Sequence, residues 1–158
     1  MSRLQKEIRQ SKPFQSAAQE AVLGLLRTTD LVRRQIAVVL EPLGITPQQF
    51  NVLRILRGGG TEGVPTLEVA DRMVEQTPGI TRLLDRLEAK GLVRRQRCPK
   101  DRRQHLCWIT PAGSALLAQI DVTGADAPEK ALKGLTEEQR HTLIELLDAI
   151  RAAHEPQE

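Results

Sequence analysis

Cysteine and aromatic residues are scarce in this sequence. Its 158 residues include two cysteines, two phenylalanines, one tryptophan and no tyrosine. Two cysteines cannot build the disulfide framework of a small secreted domain, and the spacing of Cys98 and Cys107 matches no zinc-binding template. We therefore expect a reducing compartment, the cytoplasm, and we predict no metal and no other cofactor.

Long apolar runs are also missing. No stretch reaches the roughly 18 to 20 apolar residues of a membrane-spanning helix, and the first 12 residues are polar and charged, unlike a signal peptide. The apolar share of 40% and the charged share of 27% are near the average for globular proteins. We expect one globular domain, or one subunit of an intertwined oligomer, with no membrane partner.

Positive charge is concentrated in one segment. The whole chain has a net charge of +3, whereas residues 82–103 hold nine basic and three acidic residues, a local charge of +6. The other 136 residues therefore sum to −3. Such a segment is either an ordinary solvated face or the binding surface for a polyanion, and the elements that carry it decide between the two.

The N-terminal third has a helical pattern. Apolar residues recur at helical spacing from Phe14 to Leu43, which predicts one long helix or two collinear helices. A helix of this length projects beyond a small core, so its apolar stripe packs either on a partner or across its own monomer. Thr46, Pro47 and Gln49 then predict the capped start of a helix that runs to about Arg57.

A glycine-rich turn follows, and it satisfies the dinucleotide pattern G-x-G-x-x-G at residues 58, 60 and 63. We reject that interpretation because the fingerprint requires a strand before it and a helix directly after it. The pattern instead predicts two short helices, one capped by Thr66 that runs to about Met73, and one opened by Thr77 and Pro78 and closed by Gly91. Two strands at 92–97 and 104–109 follow, joined by a basic loop at 98–103.

The C-terminal part is again helical. Thr110 and Pro111 predict a helix start, which Gly124 and Pro128 interrupt, and Thr136 with Gln139 predicts a second capping box before a last amphipathic helix. The fold class is therefore mainly α with a small antiparallel β wing. A helix, a short helix, a turn, a second helix and a basic hairpin follow one another as in a winged helix-turn-helix.

The second helix of that motif enters a DNA major groove, where small side chains allow close approach and hydroxyl or guanidinium groups reach base edges. The candidate residues at its N-terminal end are Thr77, Pro78, Gly79, Thr81 and Arg82. Arg86, and Arg95 on the following strand, contact phosphates or pair with an acid such as Asp85 or Glu88. These two alternatives remain open for both arginines.

The hairpin forms the wing, and its tip carries the remaining candidates. An arginine in a narrow minor groove gains from the negative potential there. The candidates are Arg97, Lys100, Arg102 and Arg103, with Asp101 as a support that orients a neighbouring arginine.

The two cysteines fall on the same hairpin. Cys98 lies in a positive field, so it is either a redox-sensitive thiol or an incidental surface thiol. Cys107 is expected to be a small, half-buried apolar residue. A turn near Lys100 and Asp101 places residue 98 opposite about 103 and residue 107 opposite about 94, so the thiols do not face each other.

Four segments carry a family resemblance: TPQQFNVL at 46–53, TRLLDRLE at 81–88, KGLVRR at 90–95, and DRR at 101–103 followed by ITPAG at 109–113. In this order they resemble the MarR family of bacterial and archaeal transcriptional regulators. The resemblance implies a homodimer that presents two winged lobes to a roughly palindromic double-stranded DNA operator. It places Thr81 and Arg82 at the major groove and Arg102 at the wing tip.

The resemblance also implies a division of the chain and a function. Residues 1–45 would form an N-terminal dimerisation helix region, 46–110 the winged DNA-binding lobe and 111–158 the C-terminal dimerisation helices. The expected function is a sequence-specific DNA-binding regulator, a repressor released by a small-molecule effector whose binding residues are unknown. Because the sequence has no tyrosine and few aromatic residues, it offers few side chains that could stack on a phenolic effector.

Two other function classes compete with this interpretation. A winged-helix protein-interaction module without specific DNA binding would expose apolar residues on the second helix. A hydrolase or nucleotide-binding enzyme would need a nucleophile with its base, a metal cluster or a phosphate loop, and the sequence predicts none of these. We therefore do not expect an enzyme.

Overall fold

The structure, a computed structural model, describes residues 1–101 and 103–154. Its helices are α1 (Arg3–Glu7), α2 (Ala17–Leu40), α3 (Pro47–Arg57), α4 (Thr66–Asp71), α5 (Ile80–Ala89), α6 (Pro111–Thr123), α7 (Ala127–Ala131) and α8 (Glu137–Ala152). Its strands are β1 (Val64–Pro65), β2 (Val93–Arg97) and β3 (His105–Ile109). The prediction of a mainly helical fold with a small antiparallel sheet is confirmed.

The long N-terminal helix is shorter than the 14–43 pattern predicted. It begins only after Ser16, whose hydroxyl accepts a hydrogen bond from the Gln19 N–H at 3.1 Å, so Phe14 precedes it. A 3-10 turn, Glu41–Leu43, follows, and Gly44 ends it at a φ of +70°. Proline in that turn and left-handed glycine after it both stop a helix.

The capping box at the start of α3 is confirmed. The Thr46 hydroxyl accepts from the Gln49 N–H at 3.2 Å, and the Gln49 side chain accepts from the Thr46 N–H at 3.1 Å. Behind this start, Leu53 and Leu56 are buried in the core. The helix therefore has a fixed beginning and an apolar inner face.

The sheet has three antiparallel strands in the order β1-β3-β2, one more than the two predicted. The additional strand pairs Val64 with Cys107. Cys107 also lies opposite Arg95, not opposite residue 94 as predicted. The hairpin loop explains this shift of one residue, because the Cys98 N–H donates to the Gln104 carbonyl at 2.9 Å. The two thiols are not opposed, as predicted.

The two helices of the helix-turn-helix start at different residues from those predicted. Thr66, predicted as the cap of α4, is instead its first residue, and Pro65 occupies the N-cap position without a side-chain hydrogen bond. The Thr66 hydroxyl donates to the His105 carbonyl. The second helix, α5, begins at Ile80 rather than at Thr77 and Pro78. The Thr77 hydroxyl donates to the Glu75 carbonyl at 3.0 Å, so it does not cap the helix.

The chain forms two compact units, Met1–Ala125 and Asp126–Glu158. The core of the first unit takes its largest fully buried side chains from α2, α3, α5 and α6. They are Leu40, Leu53, Leu84, Leu87 and Leu117. Helix α6 starts after Thr110 as predicted, because the Thr110 hydroxyl accepts from the Gly113 N–H at 3.1 Å.

The second unit contains α7 and α8. The predicted capping box of Thr136 and Gln139 is present at the start of α8. Arg140 of α8 forms an ion pair with Glu129 of α7 at 2.6 Å. Across the described ranges 1–101 and 103–154, no helix has both the length and the apolar character required to cross a membrane.

Candidate nucleic-acid interface

Helix α5 lies on the first unit with one apolar and one polar face. Leu83, Leu84 and Leu87 are buried against the core, which turns Arg82 and Arg86 toward solvent. Gly79, at a φ of +90°, occupies the N-cap position of the helix. Because L side chains rarely adopt this conformation, glycine is the residue suited to this entry into the helix.

Of the eight basic residues of segment 82–103 that the structure describes, three are engaged by the protein itself. The first is Arg95, for which the sequence left phosphate contact and ion pairing open. Its guanidinium pairs with Glu88 at 2.7 Å and with Asp85, and its side chain is only 17% exposed. Partial burial alone would lower the pKa of Arg95, but the hydrogen bonds and charges of Glu88 and Asp85 outweigh this and raise it.

The other two engaged residues are Lys90 and Arg94. The Lys90 ammonium donates to the Gly44 carbonyl and to the Gln49 side chain. The Arg94 guanidinium lies over the Trp108 ring, 4.1 Å from its centre, a cation–π contact. Sequence reasoning did not single out either residue. The sequence offered no signal for Arg94, because the predicted register placed residue 107, not Trp108, opposite it.

The other five described basic residues of the segment are exposed and lie on α5, β2 and the wing loop: Arg82, Arg86, Arg97, Lys100 and Arg103. Within residues 1–101 and 103–154, no side chain forms an ion pair or hydrogen bond with the side chains of these five. They coincide with the basic candidates predicted from the sequence. Arg102, the predicted wing-tip arginine, lies outside the described residues.

The loop that enters α5 holds Thr77, Pro78 and Gly79. Pro78 and Gly79 are exposed, whereas Thr77 is partly buried and its hydroxyl is occupied by the Glu75 carbonyl. Thr81 is exposed on the first turn of the helix. The segment before this loop is joined to α3, because the Asn51 side chain accepts from the Val74 N–H at 2.8 Å.

The wing loop is supported by Asp101. Its carboxylate accepts from the main-chain N–H of Arg103 at 3.0 Å, and its carbonyl accepts from the Gln104 N–H at 3.0 Å. These two bonds join Asp101 to the two residues that precede β3. Cys98 is partly exposed at the base of the loop, whereas Cys107 is fully buried. Burial raises the pKa of the Cys107 thiol.

Comparison with known proteins decides the family. A family model described as MarR family matches residues 43–104. The multiple antibiotic resistance protein MarR of Salmonella typhimurium is 36% identical over 112 residues, which cover 70% of this chain and 76% of that protein. The chain belongs to the MarR family. The predicted resemblance is confirmed, and so is the prediction of a transcriptional regulator.

Solved MarR structures agree with the fold. The MarR transcription factor from Planctomyces limnophilus is 38% identical, with a TM-score of 0.67 over 87% of this chain and 99% of that chain. A mutant MarR from E. coli, solved in complex with operator DNA, is 28% identical, with a TM-score of 0.74 over 95% of this chain and 99% of that chain. The winged helix-turn-helix assignment is therefore confirmed. MarR proteins are regulators, not enzymes.

Proposed function

We propose that the chain acts in the cytoplasm as a homodimeric, sequence-specific repressor that binds a roughly palindromic DNA operator and is released by a small molecule. One observation carries the DNA-binding part of this proposal. Within the basic segment 82–103, the five exposed basic residues that no described side chain engages lie on α5 and on the wing (β2 and the wing loop), the two parts of a winged lobe that meet DNA.

These two parts have complementary roles in the proposal. Thr81 and Arg82, on the first turn of α5, reach base edges in the major groove, and Arg86 contacts a phosphate. Arg97, Lys100 and Arg103 place positive charge where the wing meets the sugar-phosphate backbone or the minor groove, together with Arg102. Thr77, Pro78 and Gly79 form the loop that brings α5 close to the duplex.

The homodimer rests on the exposed apolar side chains of α2. Val22 is 57% and Leu26 62% exposed, and Leu25, Leu31 and Val38 are exposed as well. Leaving this much apolar surface in water on one helix is unfavourable, and a second copy of the same helix would cover it. A two-fold dimer then presents two winged lobes to the two halves of a palindrome.

The alternative of a protein-interaction module would place exposed apolar residues on α5. The exposed residues of α5 are instead Thr81, Arg82, Asp85, Arg86, Glu88 and Ala89, none of which is a large apolar residue. Because Asp85 and Glu88 are paired with Arg95, the positive charges of Arg82 and Arg86 dominate this surface and favour phosphates over an apolar partner.

Release by a small molecule is supported by a groove beside the end of α5. The groove has a volume of about 560 Å³, and its lining includes Ile45, Gln49, Arg86 and Lys90. A ligand there would touch both the recognition helix and the segment that follows α2. It would change DNA affinity only by binding the DNA-competent and the incompetent arrangements of the lobes unequally.

Selection from random duplexes tests the DNA-binding proposal. The purified protein should enrich a roughly palindromic sequence, and its affinity for that duplex should fall steeply as salt rises. Arg82→Ala should weaken binding by about 1–3 kcal/mol and relax specificity at one base position if Arg82 reads a base edge. If Arg82 contacts a phosphate instead, affinity should fall equally for all DNA sequences. The slope of log affinity against log salt concentration should then be shallower by about 1.

The matched control is Arg3→Ala, which removes an exposed arginine from α1, far along the chain from the winged lobe. It should leave operator affinity unchanged. A wild-type protein that enriches no sequence would contradict the proposal. Benzoate and salicylate, as simple aromatic carboxylates, serve as probes of release, and lowered operator affinity in their presence would support an effector-regulated repressor.

A further inference from the structure

Arg95 lies on β2, the strand that leads into the wing, but its side chain contacts the recognition helix. Its Nη2 and Nε atoms lie 2.7 and 3.1 Å from Oε2 of Glu88. Its Nη2 also donates to the carboxylate of Asp85. Both acids are on α5, so a single side chain joins the wing strand to two positions of the recognition helix.

Glu88 holds the main chain of Arg95 as well. The second carboxylate oxygen, Oε1, accepts from the Arg95 N–H at 3.0 Å. One carboxylate thus fixes both the backbone of β2 and the guanidinium that projects from it. A planar guanidinium sets the direction of such contacts in a way that the point charge of a lysine does not.

The contact also lies where a displacement of Arg95 would shift both strands of the wing. Arg95 lies opposite Cys107, the buried residue of the central strand β3. A change in the position of Arg95 relative to α5 would therefore move β2 and β3 together. The exposed residues that follow, Arg97 and Lys100, would move with them.

Asp85 and Glu88 have an electrostatic consequence of their own. Two carboxylates on a helix that meets DNA would repel phosphates, and Arg95 places a cation against both of them. The charge of Arg95 is thus neutralised by two carboxylates of the protein, whereas no described side chain pairs with Arg82 or Arg86 on the same lobe.

We infer that Arg95 is a positioning residue that sets the wing against the recognition helix, so that both engage one DNA site together. This inference rests on the proposed function. Specific binding requires base contacts and wing contacts in register, whereas non-specific binding depends mainly on total charge. Loss of the Arg95 contacts should therefore lower specificity more than general DNA affinity.

Arg95→Lys tests this, because it keeps the charge and removes the planar fork. Affinities are measured for a duplex selected by the wild-type protein and for an unrelated duplex of equal length. We expect the variant to lose about tenfold on the selected duplex, within the range for groups coupled in one network, and to change little on the unrelated one. Hydroxyl-radical footprints should show weaker protection where the wing lies.

Arg94→Lys is the matched control. Arg94 is the neighbouring residue, but its side chain lies over Trp108 instead of contacting α5, so this variant should keep the wild-type ratio of the two affinities. Glu88→Gln should lower the ratio as Arg95→Lys does. The double variant should lose little more than either single variant, since both remove the same contact. Thermal unfolding confirms that each variant is folded at the assay temperature.

The outcomes separate the two proposals. If the wild-type protein selects a sequence and Arg95→Lys keeps the wild-type ratio, the positioning role is overturned while the proposed function stands. An equal loss on both duplexes also overturns it, since that pattern indicates a direct phosphate contact. A wild-type protein that selects no sequence overturns the proposed function and this inference with it.

Discussion

Lys90, the residue that follows the recognition helix, donates a hydrogen bond to the carbonyl of Gly44, which ends the segment after α2. Its ammonium also donates to Oε1 of Gln49 at 3.3 Å. The same oxygen accepts from the Thr46 N–H and closes the capping box of α3. One buried amide therefore serves both the start of α3 and the end of α5.

Gln49→Ala should consequently destabilise the protein more than the removal of an ordinary cap residue. Gln49 is only 4% exposed, and its loss leaves both the Thr46 N–H and Lys90 without this partner. We expect a fall of about 1–3 kcal/mol in the free energy of unfolding. Urea unfolding followed by far-ultraviolet circular dichroism, at fixed protein concentration, measures it.

Gln139→Ala is the matched control for this prediction. Gln139 closes the equivalent capping box of α8, but it is exposed, and its side chain accepts only the Thr136 N–H among the described contacts. Its removal should cost about 0.5–1 kcal/mol. Equal losses in the two variants would show that Lys90 adds nothing to the role of Gln49.

Gly63 lies against the Trp108 ring. A Cβ at residue 63 would lie 2.5 Å from the ring, and the φ of Gly63 is +78°. The ring is also held in place, because its N–H donates to the Thr61 carbonyl at 2.9 Å. Gly63→Ala should therefore cost about 3 kcal/mol or more, from overpacking and backbone strain together.

Gly60→Ala separates these two causes. Gly60 also has a positive φ, +62°, but a Cβ there would meet nothing within 4 Å. Only the backbone strain applies, so the loss should be about 1 kcal/mol. Thermal unfolding of both variants checks the difference, and a loss in Gly63→Ala no larger than in Gly60→Ala would mean that Trp108 moves aside freely.

Ionisation of Cys107 in the unfolded state should lower the free energy of unfolding at alkaline pH. Burial raises the pKa of its thiol, although a hydrogen bond with Thr66 partly opposes the shift. Below the unfolded-state pKa of about 8.5 the thiol is protonated in both states, and its contribution to stability is fully present. As pH rises toward the higher folded-state pKa, the unfolded thiol ionises first, so this contribution is lost.

Cys107→Ala should therefore reduce the fall in the free energy of unfolding as pH rises into the alkaline range. Urea unfolding of both proteins between pH 7 and pH 10 measures the difference, with Cys98→Ala as control because Cys98 is only partly buried. A Cys107→Ala slope equal to that of wild type would contradict the prediction. In the folded wild-type protein at neutral pH, a thiol reagent should modify Cys98 well before Cys107.

Local hydrogen-bonding signals explain which elements could be predicted. The starts of α3, α6 and α8 were predicted correctly because each cap is formed within three residues of Thr46, Thr110 or Thr136. The start of α5 was wrong. Thr77 and Pro78 have the pattern of a cap, yet Gly79 adopts a left-handed conformation and delays the helix to Ile80.

Contacts between distant residues explain what could not be predicted. Strand β1 has two residues, too few to show an alternating pattern, and it exists through its pairing with Cys107 and Leu106. Within the candidate interface, charge alone identified the basic residues but not their partners. The ion pairs of Arg95 depend on how β2 packs against α5, which sequence spacing does not reveal.

The exposed apolar side chains of α2 lead to the last prediction, which concerns assembly. Leu26 is one of them, and Leu26→Glu would place a charge where the proposed dimer buries an apolar side chain. An unpaired buried charge is costly, so the dimer should dissociate at micromolar concentration. Sedimentation equilibrium should then give a mass near 17.6 kDa, the mass of one chain, and affinity for a palindromic duplex should fall.

Leu67→Glu is the control for this prediction. Leu67 is 69% exposed on α4, within the winged lobe and away from the α2 sequence, so its substitution should leave the mass of the assembly unchanged. A Leu26→Glu protein with the same mass as wild type would show that α2 does not form the dimer contact.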